Sequence, residues 1–224
     1  MLFHFLYIMQ QKNISVTKTA RYFVLGEASE KIDQIWFVCH GYGQLANYFI
    51  KNFESLVNQK TLVVAPEGLH RFYWKEFSGR IAASWMTKED RESDITDYVN
   101  YLDLVFAEVL SEFKSRKVKI NILGFSQGAA TVCRWIENNK SVADNLILWA
   151  GSFPADLKFE NDNAVFNSIN NFIVVGDNDE FINEQEIGNQ NKFLETKGVK
   201  FELIRFKGKH EINQEVLLQL QKRF

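Results

Sequence analysis

The chain has 224 residues, of which 46% are hydrophobic and 24% charged, and its formal net charge is −2. This length and composition are typical of one folded globular domain and exclude a disordered chain. Basic and acidic residues are scattered without forming a basic patch, so we expect no nucleic-acid partner.

The sequence gives no sign of a membrane span, a disulfide framework or a metal site. No apolar run approaches the ~18 residues that a membrane-spanning helix needs, so we expect no membrane insertion and a cytoplasmic location. The two cysteines are too few for a disulfide framework, and neither has metal-ligand spacing. We therefore expect neither a metal nor another cofactor.

Short apolar runs predict the strands. Residues 2–8 and 21–25 flank a polar stretch and predict an antiparallel hairpin at the N-terminus. Further runs, several of them continuously apolar as in strands covered on both faces, predict strands at 34–39, 61–65, 118–123, 145–150, 171–175 and 199–206.

Helical patterns fall between these strands. Apolar residues at three- and four-residue steps predict a helix over 95–113, and shorter patterns predict helices at 45–57, 127–137, 184–196 and 212–222. This alternation predicts a single α/β domain over 1–224. Its central sheet would be mostly parallel, with helices on both faces and the antiparallel hairpin at one edge. In such sheets, chemistry collects at the carboxyl ends of the strands.

One strand end carries a nucleophile pattern. Gly124-Phe-Ser-Gln-Gly128 follows the predicted strand 118–123 and opens a helix rich in small residues. In a strand–turn–helix context, G-x-S-x-G leaves the serine projecting from a tight turn that its glycines make possible. We therefore predict that Ser126 is a nucleophile.

A serine hydroxyl needs a base, and four histidines are available. An unperturbed histidine is neutral near physiological pH and can accept a proton. His4 lies in the first predicted strand, His70 in an apparently irregular loop, and His40 ahead of a glycine turn. His210 occupies a strand-end loop after the nucleophile and is the predicted base, although a lone histidine there is also typical of a surface residue.

The carboxylate that orients the base and the donors to the oxyanion are also predicted at strand ends. The stretch Gly176-Asp-Asn-Asp-Glu180 offers a carboxylate to orient the base. Asp179 is favoured, with Asp177 as the alternative. Amide donors for a developing oxyanion are expected at Gln127, after the nucleophile, and at Tyr42, in a loop that could also be a plain glycine turn.

Five segments in this order, HGYGQ, APEG, GFSQG, GDNDEF and GKH, resemble the phospholipase/carboxylesterase and acyl-protein thioesterase branch of the α/β-hydrolases. The resemblance spans 34–210 and implies an α/β-hydrolase fold. It also implies a triad of Ser126, Asp179 and His210, with the Tyr42 and Gln127 amides as oxyanion hole. The sequence departs from the family pattern in its longer, more apolar N-terminal hairpin and in segment 69–91.

Segment 69–91 is rich in aromatic and basic residues and has little helical or alternating pattern. We interpret it as an irregular cap or pocket wall, since long irregular stretches in compact domains are often functional. Trp74 and Trp85 are candidate contacts for an apolar acyl group. The alternative is that such aromatic side chains only pack the cap onto the sheet.

The sequence thus predicts a serine hydrolase that cleaves small-molecule carboxylic esters or thioesters with an apolar acyl group through an acyl-serine intermediate. Carboxylesterase, acyl thioesterase and lysophospholipase activities all fit this chemistry. One alternative is a serine peptidase or amidase of the same fold. Another is a non-catalytic binding protein.

Overall fold

The computed structural model describes residues 9–113, 117–138, 143–159 and 164–224. Its strands in chain order are β1 (Tyr22–Leu25), β2 (Gln34–Cys39), β3 (Thr61–Pro66), β4 (His70–Lys75), β5 (Ser78–Ser84), β6 (Lys119–Phe125), β7 (Asn145–Trp149), β8 (Asn170–Gly176) and β9 (Glu202–Phe206). Its helices are α1 (Ala46–Phe49), which continues as a 3₁₀ segment (Ile50–Leu56), then α2 (Arg91–Ser111), α3 (Gln127–Asn138), α4 (Ala164–Asn167), α5 (Glu184–Thr196) and α6 (Gln214–Arg223).

Seven strands form the central sheet in the order β1-β3-β2-β6-β7-β8-β9. The pairings from β3 to β9 are parallel, and β1 pairs with β3 antiparallel, with Phe23 opposite Ala65. The predicted, mostly parallel sheet with an antiparallel edge is confirmed. The first strand of the predicted hairpin, 2–8, lies outside the described residues, and 9–21 contains neither helix nor strand.

Both faces of the sheet are covered, as the apolar strand sequences require. Along β2, Ile35 and Phe37 point into the layer that contains α2 and α3, while Trp36 and Val38 point into the layer that contains α1 and α6. The alternation follows from the two-residue period of a strand. Among the described residues, no helix combines the length and apolar character needed to span a membrane.

Most of segment 69–91 is regular, so the expectation of an irregular stretch was wrong for residues 70–84. β4 and β5 form a separate antiparallel hairpin in which Phe72 faces Ala82 and Lys75 faces Ser78. The two residues of the turn, Glu76 and Phe77, lack the Asn-Gly pattern that usually marks such turns, and Glu76 has a φ of 45°. Most hairpin side chains are exposed, so no apolar alternation indicated the strands.

Candidate active site

Ser126 occupies the turn between β6 and α3. Its φ of 53° lies in the left-handed region, which costs a non-glycine residue of the order of 1 kcal/mol or more. The Ser126 N–H donates to the carbonyl oxygen of Trp149 on β7 at 2.9 Å, and the Ser126 carbonyl accepts from the Ala129 N–H at 3.0 Å. Neighbouring strand and helix therefore hold the turn in its strained form.

The two glycines of the Gly124–Gly128 pattern are needed for space. A Cβ on Gly124 would lie 2.2 Å from the carbonyl oxygen of Gly128, and a Cβ on Gly128 would lie 2.2 Å from the carbonyl oxygen of Cys39. Both distances are far below van der Waals contact with backbone atoms. The glycines let β6, α3 and the end of β2 approach closely around Ser126.

Asp179 and His210, 31 positions apart in the chain, are in direct contact. The Nδ1 of His210 lies 2.9 Å from Oδ2 and 3.1 Å from Oδ1 of Asp179. Because a carboxylate oxygen accepts, the neutral tautomer that fits this contact has its hydrogen on Nδ1, and that tautomer leaves Nε2 as an acceptor. The Asp179 side chain has no exposed surface, and its Oδ1 also accepts from the N–H groups of Phe181 at 2.8 Å and Ile182 at 3.2 Å.

The imidazole of His210 lies between two aromatic rings, with centroid distances of 4.9 Å to Phe125 and 4.7 Å to Phe181. Only 16% of the His210 side chain is exposed. His210 and Ser126 line the same cavity, whose volume is about 520 Å³. By contrast, Asp177 is half exposed and lies 3.9 Å from Arg205. The structure therefore joins Asp179 rather than Asp177 to His210, at the cavity that Ser126 lines.

The loop after β2 passes directly beside the serine. A Cβ on Gly41 would lie 3.1 Å from the Cβ of Ser126, so the backbone is close to the nucleophile. Gly43 has a φ of 74°, and its N–H donates to the Ala83 carbonyl of β5 at 2.8 Å. Tyr42 lies between these glycines, and its ring is 54% exposed and packs against Phe72 at 5.6 Å.

The imidazole ring of His40 is hydrogen-bonded to the backbone of this loop. It is fully buried, its Nδ1 donates to the Gly41 carbonyl at 2.7 Å, and its Nε2 accepts from the Gly68 N–H at 2.9 Å. Burial is the main cause that lowers the pKa of His40 to about 4. The ring is therefore neutral and both nitrogens are used. His70 contacts Asp94 at 3.0 Å at the surface, and His4 lies outside the described residues.

The side chain of Gln127 joins the start of α3 to the end of the hairpin. Its Oε1 accepts from the Trp85 N–H at 3.2 Å, and its Nε2 donates to the Met86 carbonyl at 3.1 Å. The Gln127 N–H itself lies at the N-terminus of α3, directly after the nucleophile, where helix N–H groups have no helical partner.

The two tryptophans predicted to contact substrate are absent from the wall of the Ser126 cavity. Trp85 has no exposed surface and packs against His40 at 5.0 Å and Tyr98 at 6.2 Å between ring centroids. Trp74 is 43% exposed, and the guanidinium of Arg80 lies 4.7 Å above its ring. The geometry gives no support to the substrate contact predicted for Trp85. For Trp74, whose ring packs against Tyr42 at 5.9 Å, the contact stays a prediction.

The sequence analysis did not predict the wall of the cavity. This wall is formed mostly by α5, the loop after β7 and residues of β8 and β9. Its apolar members include Ala130, Phe153, Ile173, Val175, Ile187 and Leu203. The available signal was the pair Ala150-Gly151 directly after a strand. Within the described part of the chain, no group of three or more His, Cys, Asp or Glu side chains is placed to hold a metal ion.

Comparisons with known proteins identify the family and agree with the fold. A model of the family described as phospholipase/carboxylesterase matches residues 20–224. Acyl-protein thioesterase 2 from Zea mays shares the fold with a TM-score of 0.68 at 15% identity, over 92% of this chain and 97% of that one. A carboxylesterase from Bacillus cereus gives a TM-score of 0.66 at 14% identity, over 91% and 92%. No match was found among curated proteins.

Proposed function

This chain belongs to the phospholipase/carboxylesterase family of α/β-hydrolases and is a hydrolase of the esterase or thioesterase type, and from that premise we propose that it works through an acyl-serine intermediate on Ser126. The family expected from the five sequence segments is confirmed. The observation that carries the proposal is the convergence of a serine on a strained elbow and a carboxylate-bound histidine at one cavity.

In the proposed first step, Nε2 of His210 takes the Ser126 proton while Oγ forms a bond to the substrate carbonyl carbon. The Asp179 carboxylate holds the ring through Nδ1 and stabilises the imidazolium that forms. The tetrahedral intermediate then breaks its bond to the alcohol or thiol, which leaves with the proton from His210. Water repeats the attack on the acyl-serine and releases the acid, so no metal or organic cofactor takes part.

The N–H groups of Tyr42 and Gln127 are the proposed donors to the oxyanion. The close approach of Gly41 to Ser126 and the position of Gln127 at the start of α3 support this role. One well-placed donor contributes about 2.7–4 kcal/mol to stabilising the transition state.

The proposed substrates are carboxylic esters or thioesters of small molecules. Relatives named as carboxylesterase and acyl-protein thioesterase support both kinds of leaving group. A serine peptidase or amidase of the same fold is the less favoured alternative, because no observation singles out an amide substrate. The cytoplasmic location remains a prediction from the sequence.

The decisive experiment compares Ser126→Ala with Ser111→Ala, which alters an exposed serine at the end of α2. Ser126→Ala should lower kcat for p-nitrophenyl acetate by roughly 10⁴-fold or more and abolish labelling by a fluorophosphonate probe. Ser111→Ala should retain both. Hydrolysis that persists in Ser126→Ala would refute the mechanism, and a wild-type protein that is neither labelled nor active would be a binding protein.

A further inference from the structure

The cavity that contains Ser126 and His210 extends away from the β4–β5 hairpin, beneath α5. Its volume of about 520 Å³ lies within the range of ~300–1,000 Å³ that is usual for small-molecule sites. The wall on the sheet side is formed by Ile173, Val175 and Leu203, and the wall on the helix side includes Ile187 and Phe193. The sheet side is therefore hydrocarbon, whereas the helix side also includes the amide residues Asn189, Gln190 and Asn191.

Two backbone features hold the loop after β7 close to the turn that carries the nucleophile. Ala150, directly after β7, has a φ of 49°, so a second non-glycine residue at the cavity is held in the left-handed region. At the next residue, a Cβ on Gly151 would lie 2.4 Å from the Ala129 Cβ and 2.8 Å from the Ser126 carbonyl oxygen. Strain of this kind persists where the surrounding structure enforces it, and it is concentrated at functional sites.

Helix α5 faces the sheet across the cavity. Its buried members are Ile187 and Leu194, and of these Ile187 lines the cavity. The helix begins at a capping box in which Asn183 and Glu186 bond to each other's backbone N–H. Its position is thus set at its first turn, and the cavity lies beneath the turns that follow.

The charge of the wall indicates which part of an ester fits. Among the described residues that line the cavity there is no lysine or arginine, and one carboxylate, Glu186, is present. A phosphate or another anionic leaving group would meet no cation and one like charge, whereas an uncharged hydrocarbon chain would bury apolar surface.

We infer that this cavity is the acyl site: the acyl chain of the substrate lies between α5 and the strands β8 and β9, not beneath the β4–β5 hairpin. The inference rests on the proposed acyl-serine function. It assigns Ala130, Ile187 and Leu203 as residues that set the acyl chain length. Ala130 stands on α3 one turn after Ser126 and is partly exposed to the cavity, so a larger side chain there projects into the site.

The test is a series of p-nitrophenyl esters from acetate through butyrate and octanoate to laurate. In the wild type, kcat/KM should rise by up to about fourfold for each methylene that enters the cavity. Ala130→Leu should lower kcat/KM for octanoate at least about tenfold more than for acetate, because the larger leucine side chain occupies the site. The matched control is Ala107→Leu on the exposed face of α2, which should leave the series unchanged.

A second variant acts in the opposite direction. Phe193→Leu removes ring volume from the α5 wall and should shift the preference toward longer chains, which keeps the test valid if Ala130→Leu does not fold. An unchanged length profile in both variants would overturn the inference. So would a profile that responds to Trp74→Ala instead, or a response confined to the alcohol chain of alkyl acetates. If the wild type cleaves no ester, or Ser126→Ala remains active, the proposed function fails rather than the location of the acyl site.

Discussion

The indole Nε1 of Trp85 donates a hydrogen bond to the carbonyl oxygen of His40 at 2.8 Å. The backbone N–H of the same residue donates to the Gln127 side chain at 3.2 Å. Trp85, the first residue after β5, is therefore bonded to the loop after β2 and to the start of α3, where the oxyanion donors Tyr42 and Gln127 are expected. Through Trp85, segment 69–91 acts as a brace for these two parts of the site.

Trp85→Phe should weaken this brace while keeping an aromatic ring. The variant lacks the N–H that satisfies the buried His40 carbonyl, which should lower the free energy of unfolding by about 1–3 kcal/mol. Displacement of the loop after β2 should lower kcat for p-nitrophenyl acetate with little change in KM. Urea unfolding and steady-state kinetics measure the two effects.

Phe77→Leu is the matched control, because Phe77 lies at the hairpin turn and is 95% exposed. It should have little effect on unfolding. If Trp85→Phe altered the preference for acyl chain length and left stability unchanged, Trp85 would be a substrate contact instead of a brace.

Asp179→Asn should lower kcat by roughly 10³–10⁴-fold, because the amide no longer holds His210 in the tautomer whose Nε2 accepts a proton. The same substitution two residues earlier, Asp177→Asn, changes an exposed side chain near Arg205 and should leave kcat within about twofold. Equal losses in the two variants would remove the distinction between the two carboxylates.

Burial of neutral His40 predicts an acid-dependent loss of stability. Its pKa is lowered from an ordinary value of 6.5 to about 4, so between these pH values the unfolded chain binds a proton that the folded protein does not. The free energy of unfolding should therefore fall as pH drops through this window, by about 3 kcal/mol in total. The difference in pH dependence between wild type and His40→Asn, measured by urea unfolding, isolates this contribution. Parallel curves would contradict it.

The ion pair of Arg134 and Asp156 attaches the loop after β7 to α3. Arg134 donates to Asp156 through Nε at 3.0 Å and through an NH2 nitrogen at 2.9 Å. The hydrogen bond from Arg134 is the main cause that holds the pKa of Asp156 well below its usual range. Its contribution to stability is thus present above the ordinary aspartate pKa of ~3.9 and is lost as pH falls below it.

Asp156→Asn should lower the free energy of unfolding at neutral pH by about 1–2 kcal/mol, since the carboxylate is partly exposed and solvent screens it. It should also loosen the cavity wall next to Ala155, which raises KM for long acyl esters more than for acetate. Glu202→Gln, at an exposed pair with Arg223, is the control and should have an effect below about 1 kcal/mol. A smaller loss for Asp156→Asn than for this control would contradict the assignment.

The sheet could be predicted because its signals are local. The runs at 34–39 and 61–65 correspond to β2 and β3, and Gly124–Gly128 forms the turn between β6 and α3. The β4–β5 hairpin could not be predicted, because its turn residues and exposed aromatic side chains give no such pattern.

By itself, the sequence determined the strands of the central sheet, the longer helices and the candidate residues Ser126, Asp179 and His210, because apolar periodicity and glycine-rich turns act over a few neighbouring residues. The choice of Asp179 over Asp177 at His210, the burial of Trp85 against His40 and the cavity beneath α5 were decided by the tertiary structure. Each of these depends on contacts between segments far apart in the chain. Burial and the direction of a side chain are settled when the sheet, α5 and the loops at the strand ends pack together.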